Sequence, residues 1–324
     1  MSECKHVVDY CTIPESEIVA RECRFATYVP PPEEGMDDLH VIKEIIHTKS
    51  GESFPNLRLE YGREREAFIT RKGYRNHKQH KENEEIHKLQ KLMVTESNMD
   101  RRLAAALGLW HRGNRRKLFE CPYIYGVDIT STAVIKKSYF ERWKKTTGFS
   151  ISELDIETNM FSDEEVQEAT MVSISMKGRL ATFITKDYLK GFSDPIPQIE
   201  ALTQKYLGDV IAARGIKPET YIVEDYIDMW RQVFKMIHEW QPDILSIWNV
   251  LFELENLLAA CEAQNIDIAD IICDPRIPKA YRYFDFIKAP EIKKMASGKT
   301  MPQKPSQRWH KIKFPASFLM IDQM

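Results

Sequence analysis

Two carboxylates one residue apart are the first groups in this sequence that could do chemistry. Asp155 and Glu157 lie within the run Leu154-Asp155-Ile156-Glu157-Thr158. Side chains alternate faces along an extended chain, so both acids would project from the same side of one strand. A shared divalent cation that prefers oxygen ligands, Mg²⁺ or Mn²⁺, would relieve the repulsion between them. The alternative interpretation is a solvated strand face, because most acids in proteins are exposed.

A third acid, Glu253, follows in Trp248-Asn249-Val250-Leu251-Phe252-Glu253. The pattern predicts a buried strand over 243–249 and a helix over 253–264. Glu253 would therefore open the helix and point toward the carboxyl edge of a sheet, where ligands of α/β proteins collect. A glutamate in a first helical turn is also favoured by the helix dipole without any metal. We expect Trp248 to be a core residue.

A basic stretch near residue 70 could contact nucleic acid. It interleaves cations with an aromatic side chain, and its candidate contact residues are Arg71, Lys72, Tyr74, Arg75 and Lys78. Basic side chains neutralise phosphates, and aromatic rings stack on bases. A solvated basic loop is the alternative. A helix is predicted after it over 82–94, followed by a second helix over 99–107 that ends at Gly108.

The elements around the acids indicate an α/β fold. Three strands are predicted within 150–185, the second over 170–176 and the third over 179–185. Helices and strands then alternate, with a helix over 224–240 and a final strand over 318–322. Hairpin-linked strands followed by helix–strand alternation predict an α/β domain with a mixed sheet.

Composition fits a globular protein large enough for two domains, since the chain has 324 residues, of which 43% are hydrophobic and 29% charged. No apolar run approaches the roughly 20 residues that span a bilayer, so we expect no membrane association. The six cysteines lack metal-like spacing and predict reduced thiols in the cytoplasm. Residues 151–290 carry 13 basic against 24 acidic residues, whereas the flanking segments are net basic. This distribution is typical of metal-dependent enzymes acting on nucleic acid, and mixed solvated faces explain it equally well.

Together the two acidic motifs resemble the 3′→5′ proofreading exonuclease of family B DNA polymerases, especially the viral, phage-like ones. Asp155-x-Glu157 resembles the first exonuclease motif of that family. Asn249-x-x-Phe252-Glu253 is similar to the second, Asn-x(2 or 3)-Phe/Tyr-Asp. The likeness extends over nearly the whole chain, because residues 123–126 resemble the N-terminal domain of phage polymerases and residues 318–322 resemble the strand that follows the second motif.

The resemblance implies a fold and an activity. The fold would be a ribonuclease H-like exonuclease domain with a mixed sheet over 149–324, preceded by a mixed α+β N-terminal domain over 1–148. Asp155, Glu157 and Glu253 would hold two Mg²⁺ or Mn²⁺ ions for phosphodiester hydrolysis during viral DNA replication. Thr158, Asn249 and Phe252 would position an unpaired 3′ end of primer–template DNA, with core packing as the alternative for Phe252. The location would be the cytoplasm, that of the host cell if the protein is viral.

Two departures from the family pattern matter. The second motif normally ends in Asp, whereas here it ends in the longer Glu253. The third motif, Tyr-x-x-x-Asp, does not follow Asp322, so the resemblance implies an exonuclease domain incomplete at its C-terminal end. A second polymerase chain would then complete the site, and the chain alone would be nearly inactive. The alternative from another class is a catalytically degenerate scaffold that binds DNA and docks the polymerase core.

Overall fold

The computed structural model describes residues 4–75, 85–109, 118, 120–158, 169–295, 297–304 and 310–323. The chain divides into two compact units, Met1–Thr147 and Gly148–Met324. All six cysteines are free thiols. Within the described ranges, no helix combines the length and the apolar character that crossing a membrane requires.

Unit 1 combines antiparallel strands with helices. Its strands and helices are β1 (His6–Asp9), β2 (Ile18–Val29), β3 (Leu39–Thr48), β4 (Ser53–Tyr61), β5 (Arg65–Thr70), β6 (Leu89–Val94), α1 (Met99–Leu107), β7 (Ile124–Tyr125) and α2 (Ser131–Trp143). One sheet has the order β1-β4-β3-β2 and a second has the order β6-β5-β7. Strand β3 is buried along its whole length and lies between β2 and β4 in the sheet.

One helix prediction in unit 1 is right and the other is wrong. Helix α1 covers 99–107 as predicted and ends at Gly108, whose φ of 73° is favourable for glycine. Residues 89–94 of the predicted helix 82–94 instead form β6, which pairs antiparallel with β5 from Arg65↔Val94 to Thr70↔Leu89. Residues 82–84 lie outside the described part of the chain. Tertiary pairing with β5 overrides the helical spacing, because it satisfies the backbone groups and buries Val94 completely.

Unit 2 follows the predicted order of elements. Its larger elements are β8 (Ile151–Thr158), β9 (Ala169–Met176), β10 (Arg179–Thr185), α3 (Pro195–Arg214), β11 (Lys217–Val223), α4 (Tyr226–Trp240), β12 (Ile244–Ile247) and α5 (Val250–Ala263). They are followed by α6 (Ala269–Ile272), β13 (Asp285–Ile287), β14 (Ile292–Lys294), β15 (Thr300–Pro302), β16 (Lys311–Lys313) and β17 (Leu319–Asp322).

The six-stranded sheet of unit 2 has the order β11-β10-β9-β8-β12-β17. Strand β9 runs antiparallel to both of its neighbours, and the other adjacent pairs are parallel. This mixed sheet with interspersed helices confirms the predicted α/β class. Strands β13 and β16 form one small antiparallel pair, and β14 and β15 form another.

The core of unit 2 lies on one face of this sheet. Helix α4 contacts β9 and β10, and the buried side chains of this region include Val172, Phe183, Trp230 and Phe234. Along β8, burial alternates as the period of a strand requires, with Leu154 inside and the odd-numbered residues from 151 to 157 exposed. The acids of β8 therefore lie on the face opposite this core.

A buried clasp aligns β8 with β12. The backbone N–H and the hydroxyl of Ser150 both donate to Oδ2 of Asp243, at 2.8 and 3.0 Å, and Asp243 is only 1% exposed. The backbone N–H of Asp243 in turn donates to the backbone oxygen of Ser150 at 3.0 Å. Because the two strands are parallel and start together, their register carries through to Ile247↔Leu154. The carboxyl end of β12 is thereby brought level with the middle of β8, where Asp155 follows Leu154.

Candidate active site

Asp155 and Glu157 lie on the same exposed face of β8, as the sequence predicts. Their antiparallel partners on β9 are Ser173 and Met171. Thr158 ends the strand and is half-buried, and a register shift separates it from Glu157. This placement agrees with both interpretations of the pattern, since a solvated strand face and a metal-binding face look alike when only β8 is considered.

Glu253 reaches the same region through a tight backbone turn. After Ile247, the chain turns at Asn249, whose φ of 56° and ψ of 58° lie in the left-handed region. The backbone N–H groups of Phe252 and Glu253 donate to the carbonyl oxygen of Asn249, at 3.0 and 3.4 Å. These bonds start α5 directly at the end of β12, so Glu253 lies in its first turn, at the carboxyl edge of the sheet.

Glu253 is a buried acid whose ionisation is disfavoured by its surroundings and by the charge of Asp155. Glu253 is only 9% exposed, and its Oε2 is buried without a hydrogen-bond partner. Burial, and in second place the negative charge of Asp155, raise the pKa of Glu253 to about 8. The tertiary structure therefore brings two acids from separate motifs together at one edge of the sheet, where Glu253 is mainly protonated at neutral pH unless a cation compensates its charge.

Glu157 is not grouped with these two acids as a third metal ligand. Among the residues that the structure describes, no group of three or more His, Cys, Asp and Glu side chains is arranged to hold a metal ion. The pair that the structure does bring together consists of Asp155 and Glu253. Carboxylate oxygens are the ligands that Mg²⁺ and Mn²⁺ prefer, so the orphaned oxygen of Glu253 beside a second carboxylate fits a divalent cation.

Two aromatic residues lie at or just before the start of α5. Phe252 is 39% exposed, so the alternative of core packing does not hold for it. Trp248 is 60% exposed, and the expectation that it belongs to the core is wrong. Strand β12 ends at Ile247, two residues earlier than the buried strand that we predicted, and Trp248 is outside it. The one signal of this exposure in the sequence was the position of Trp248 next to Asn249, where the chain leaves the sheet.

Asn249 does not use its side chain to cap α5, although it occupies the N-cap position. An N-cap asparagine usually accepts a hydrogen bond from the first helical turn, and here only its backbone carbonyl takes part. The Asn249 amide therefore serves no local structural purpose at the helix end.

The basic candidates of unit 1 divide into two groups. Arg75 is half-buried, and its guanidinium donates to backbone carbonyl oxygens, including that of Thr70 at 2.9 Å, so it stabilises the loop. Arg71 donates to the carbonyl of Leu89 but remains exposed. Lys72 and Tyr74 are also exposed, and Lys78 lies outside the described residues. Arg71, Lys72 and Tyr74 thus remain available for contacts outside the protein.

No model of a protein family matches the chain, and none of the curated proteins matches it in sequence.

Proposed function

We propose that unit 2 is a metal-dependent 3′→5′ exonuclease domain of the family B DNA polymerase type, acting in proofreading during viral DNA replication. The observation that carries this proposal is the convergence of the two acidic motifs at one sheet edge: the parallel register of β8 and β12 brings Asp155 next to the end of β12, and Glu253 lies in the first turn of the helix that follows β12. Neither motif alone points to a shared site, because each has a structural explanation of its own. Their convergence is what a two-motif nuclease requires.

The sheet order supports a ribonuclease H-like fold for this domain. Strands β8, β9 and β10 are consecutive and antiparallel, and β12 and β17 continue the sheet on the β8 side in parallel orientation. The first acidic motif therefore lies on a central strand, and the second lies at the start of the helix after the neighbouring strand. Strand β11 extends the opposite edge.

The residues suited to hold a divalent ion are Asp155 and Glu253, with Glu157 as a further candidate on the same face of β8. The remaining ligands would come from outside the described residues, from this chain or from a second polymerase chain. When bound, Mg²⁺ or Mn²⁺ ions supply the nucleophilic water and stabilise the departing 3′-oxygen. The protein side chains hold the charge that binds the ions and orient the terminal phosphodiester.

Substrate positioning falls to polar and aromatic groups around the acids. The side-chain amide of Asn249 does not cap α5, so it can accept hydrogen bonds from a nucleotide or donate them to it. Phe252 offers an exposed ring, and Thr158 offers a hydroxyl at the end of β8. In unit 1, the exposed cations Arg71 and Lys72 can neutralise phosphates of the DNA.

A second candidate function is a catalytically degenerate scaffold that binds DNA and docks a polymerase core. Two observations favour it. The acid of the second motif is Glu253 rather than aspartate, and no three-acid metal group is present in the described ranges. Under this alternative, the acids of β8 are a solvated face and α5 retains Glu253 only for its place near the helix dipole.

The decisive experiment compares Asp155→Ala with Glu153→Ala. Both acids are exposed on the same face of β8, two residues apart, so each variant removes one surface charge from the same strand. Release of the 3′-terminal nucleotide from a single-stranded DNA oligonucleotide is measured in Mg²⁺, with this chain alone and with the polymerising chain added. We expect Asp155→Ala to lower excision at least about 100-fold, because it removes a group that acts on the reacting centre. Glu153→Ala should retain excision.

The outcomes separate the two candidate functions. Loss of excision only in Asp155→Ala, with polymerisation unchanged, supports the exonuclease. Equal excision and equal polymerisation in the two variants contradict it and favour the scaffold. Full excision by the chain alone would show that no second chain is needed to complete the site.

A further inference from the structure

Helix α3 leaves a row of apolar side chains in solvent. Only Gly208 of its 20 residues is buried, whereas the shorter helix α4 buries most of its apolar side chains. The exposed apolar residues of α3 are Leu202 at 54%, Tyr206 at 70%, Leu207 at 46% and Val210 at 47%. Single exposed apolar side chains are ordinary on a protein surface, but a contiguous row of them marks an interaction surface.

Three of these side chains form a stripe along the helix. Leu202, Tyr206 and Val210 follow one another at intervals of four residues, so they lie above one another on one face of α3. The helix contacts β11, the edge strand of the six-stranded sheet, and this contact leaves the stripe exposed. The stripe is therefore a surface that folding of unit 2 does not bury.

Four charged side chains accompany the stripe along α3. They are exposed, and none forms an ion pair with another residue that the structure describes: Glu200, Lys205, Asp209 and Arg214. Nζ of Lys205 lies 4.8 Å from the centre of the Tyr206 ring, directly beside the stripe. In chain order their signs alternate, beginning with the negative charge of Glu200. These charges lack a partner within the described part of the chain, as the stripe does.

The charges are arranged symmetrically about Leu207, with opposite signs at equal distances. Lys205 and Asp209 are each two residues from Leu207, and Glu200 and Arg214 are each seven residues from it. A second copy of α3 that runs antiparallel and is centred at this level places Asp209 of that copy opposite Lys205, and its Arg214 opposite Glu200. Twofold symmetry forms each pair twice. A parallel arrangement in register would instead bring like charges together.

The same arrangement interleaves the apolar side chains. Along the helix axis, Val210 of the second copy comes level with the gap between Leu202 and Tyr206 of the first, and the reverse holds by symmetry. Helices pack when the side chains of one fill the spaces between those of the other. The charge pattern and the apolar spacing therefore select the same antiparallel register.

We propose that α3 is a homodimerisation surface, on which α3 of a second copy of this chain docks antiparallel. Leu202, Tyr206 and Val210 form its apolar centre, and the charged side chains fix its direction and register. This inference goes beyond the proposed exonuclease function and does not depend on it, because α3 contributes no residue to the candidate active site.

The test measures the oligomeric state of the full chain in solution. Sedimentation equilibrium is recorded over a range of micromolar concentrations for the wild type, Tyr206→Asp and the control Phe140→Asp. Phe140 is also an exposed aromatic residue within a helix, at 60% exposure, but it lies on α2 of unit 1. Far-ultraviolet circular dichroism checks that each variant retains its helix content.

We expect a concentration-dependent dimer for the wild type and for Phe140→Asp. Tyr206→Asp should raise the dissociation constant of the dimer at least about 30-fold, because it places a charge at the apolar centre of each subunit. A dimer that Tyr206→Asp leaves unchanged would place the interface elsewhere and overturn the proposal.

A charge exchange tests the antiparallel register separately. Lys205→Glu and Asp209→Lys each bring like charges together, so each should weaken the dimer about tenfold. The double variant restores opposite charges at both positions and should recover most of the affinity. Recovery would also show that the single variants weaken the dimer through charge rather than misfolding. Equal weakening in the double variant would contradict the antiparallel register.

Two further results would overturn the proposal. A wild-type chain that is monomeric at every concentration rejects the homodimer. If that monomer binds an added polymerising chain and Tyr206→Asp abolishes the binding, the stripe docks the polymerase core and not a second copy. Neither result affects the excision test with Asp155→Ala, so the two proposals can fail independently.

Discussion

The two units treat buried carboxylates in opposite ways. In unit 1, Glu60 is 3% exposed and accepts hydrogen bonds from Arg63 and from Nε of Arg58, the latter at 2.9 Å. Burial opposes its ionisation, but the two guanidiniums outweigh burial and hold the pKa of Glu60 below its usual range. In unit 2, Glu253 is also buried, but no salt bridge to it is found among the described residues; burial, and in second place the charge of Asp155, raise its pKa to about 8.

The difference shows which buried acids have a partner of opposite charge within the protein. A buried charge is tolerated when the chain provides a matched partner, as Arg58 and Arg63 do for Glu60. An acid buried beside another acid is destabilising, and it persists where something outside the chain compensates it. The charges of unit 1 are therefore structural, and those at the edge of the unit 2 sheet are the candidates for function.

The largest expected effect comes from disrupting the unit 1 network. Replacing Glu60 by Gln leaves the buried guanidinium of Arg63 without its carboxylate and should destabilise unit 1 by about 3 kcal/mol. The measurement is the midpoint of chemical denaturation. Glu66→Gln is the control, because Glu66 pairs with Lys91 at 3.1 Å on the surface and its loss should cost under about 0.5 kcal/mol. Equal midpoints for the two variants would contradict the distinction between buried and surface pairs.

Removing the charge of Glu253 should stabilise the protein at high pH, which is the opposite of the effect expected for Glu60. Because its pKa in the folded protein is raised from 4.5 to about 8, the protonated form is the compatible one, and stability present below pH 4.5 is lost as the pH rises through 8. Glu253→Gln mimics the protonated form and should raise the free energy of unfolding at pH 9 by on the order of 2 kcal/mol relative to wild type, but not at pH 4.

The control for this prediction is Glu255→Gln, which removes an exposed acid of the same helix paired with Lys288. Melting temperatures of the three proteins are recorded across the pH range without divalent ions. Between pH 4.5 and 8, the stability of the wild type should fall more steeply than that of Glu253→Gln. If it does not, Glu253 is not buried without a partner.

The smallest expected effect on stability is at Asn249, where replacement by Gly removes the side chain but keeps the backbone conformation. Asn249 and Asn265 both have a left-handed backbone, with φ of 56° and 52°. Replacing either by Gly should change stability by less than about 0.5 kcal/mol, because glycine adopts this conformation freely. If the Asn249 amide contacts substrate, Asn249→Gly should weaken single-strand binding while Asn265→Gly does not. Unchanged binding in both variants would assign Asn249 a purely conformational role.

Several elements could be predicted from the sequence because local signals agreed with the tertiary structure. Helix α1 and strand β10 match their predicted bounds, since the cap or turn residues Gly108 and Lys177-Gly178 coincide with changes in hydrophobic periodicity. Helix α4 starts two residues later than predicted, and β12 is shorter at both ends. Boundaries shift in this way because backbone hydrogen bonding, rather than residue type, ends an element.

The predictions that failed depended on distant partners. Leu89, Leu92 and Met93 have helical spacing, yet residues 89–94 form β6 because β5 is available to pair with them. Trp248 is a residue type common in protein cores. However, β12 ends at Ile247 and the left-handed turn at Asn249 follows at once, so the indole remains exposed to solvent. The first outcome is decided by a strand elsewhere in the chain, and the second by where β12 stops pairing with β8 and β17.

The residue pattern by itself determined the α/β class, the strand that carries Asp155 and Glu157, and the place of Glu253 in a first helical turn, because periodicity and breakers act over a few residues. Only the tertiary structure decided that the charge of Asp155 acts on Glu253, since this depends on the parallel register of β8 and β12, aligned by the buried hydrogen bonds between Ser150 and Asp243. The charge state of Glu253 is likewise a tertiary property, because it depends on how much water and which charges the fold leaves beside it.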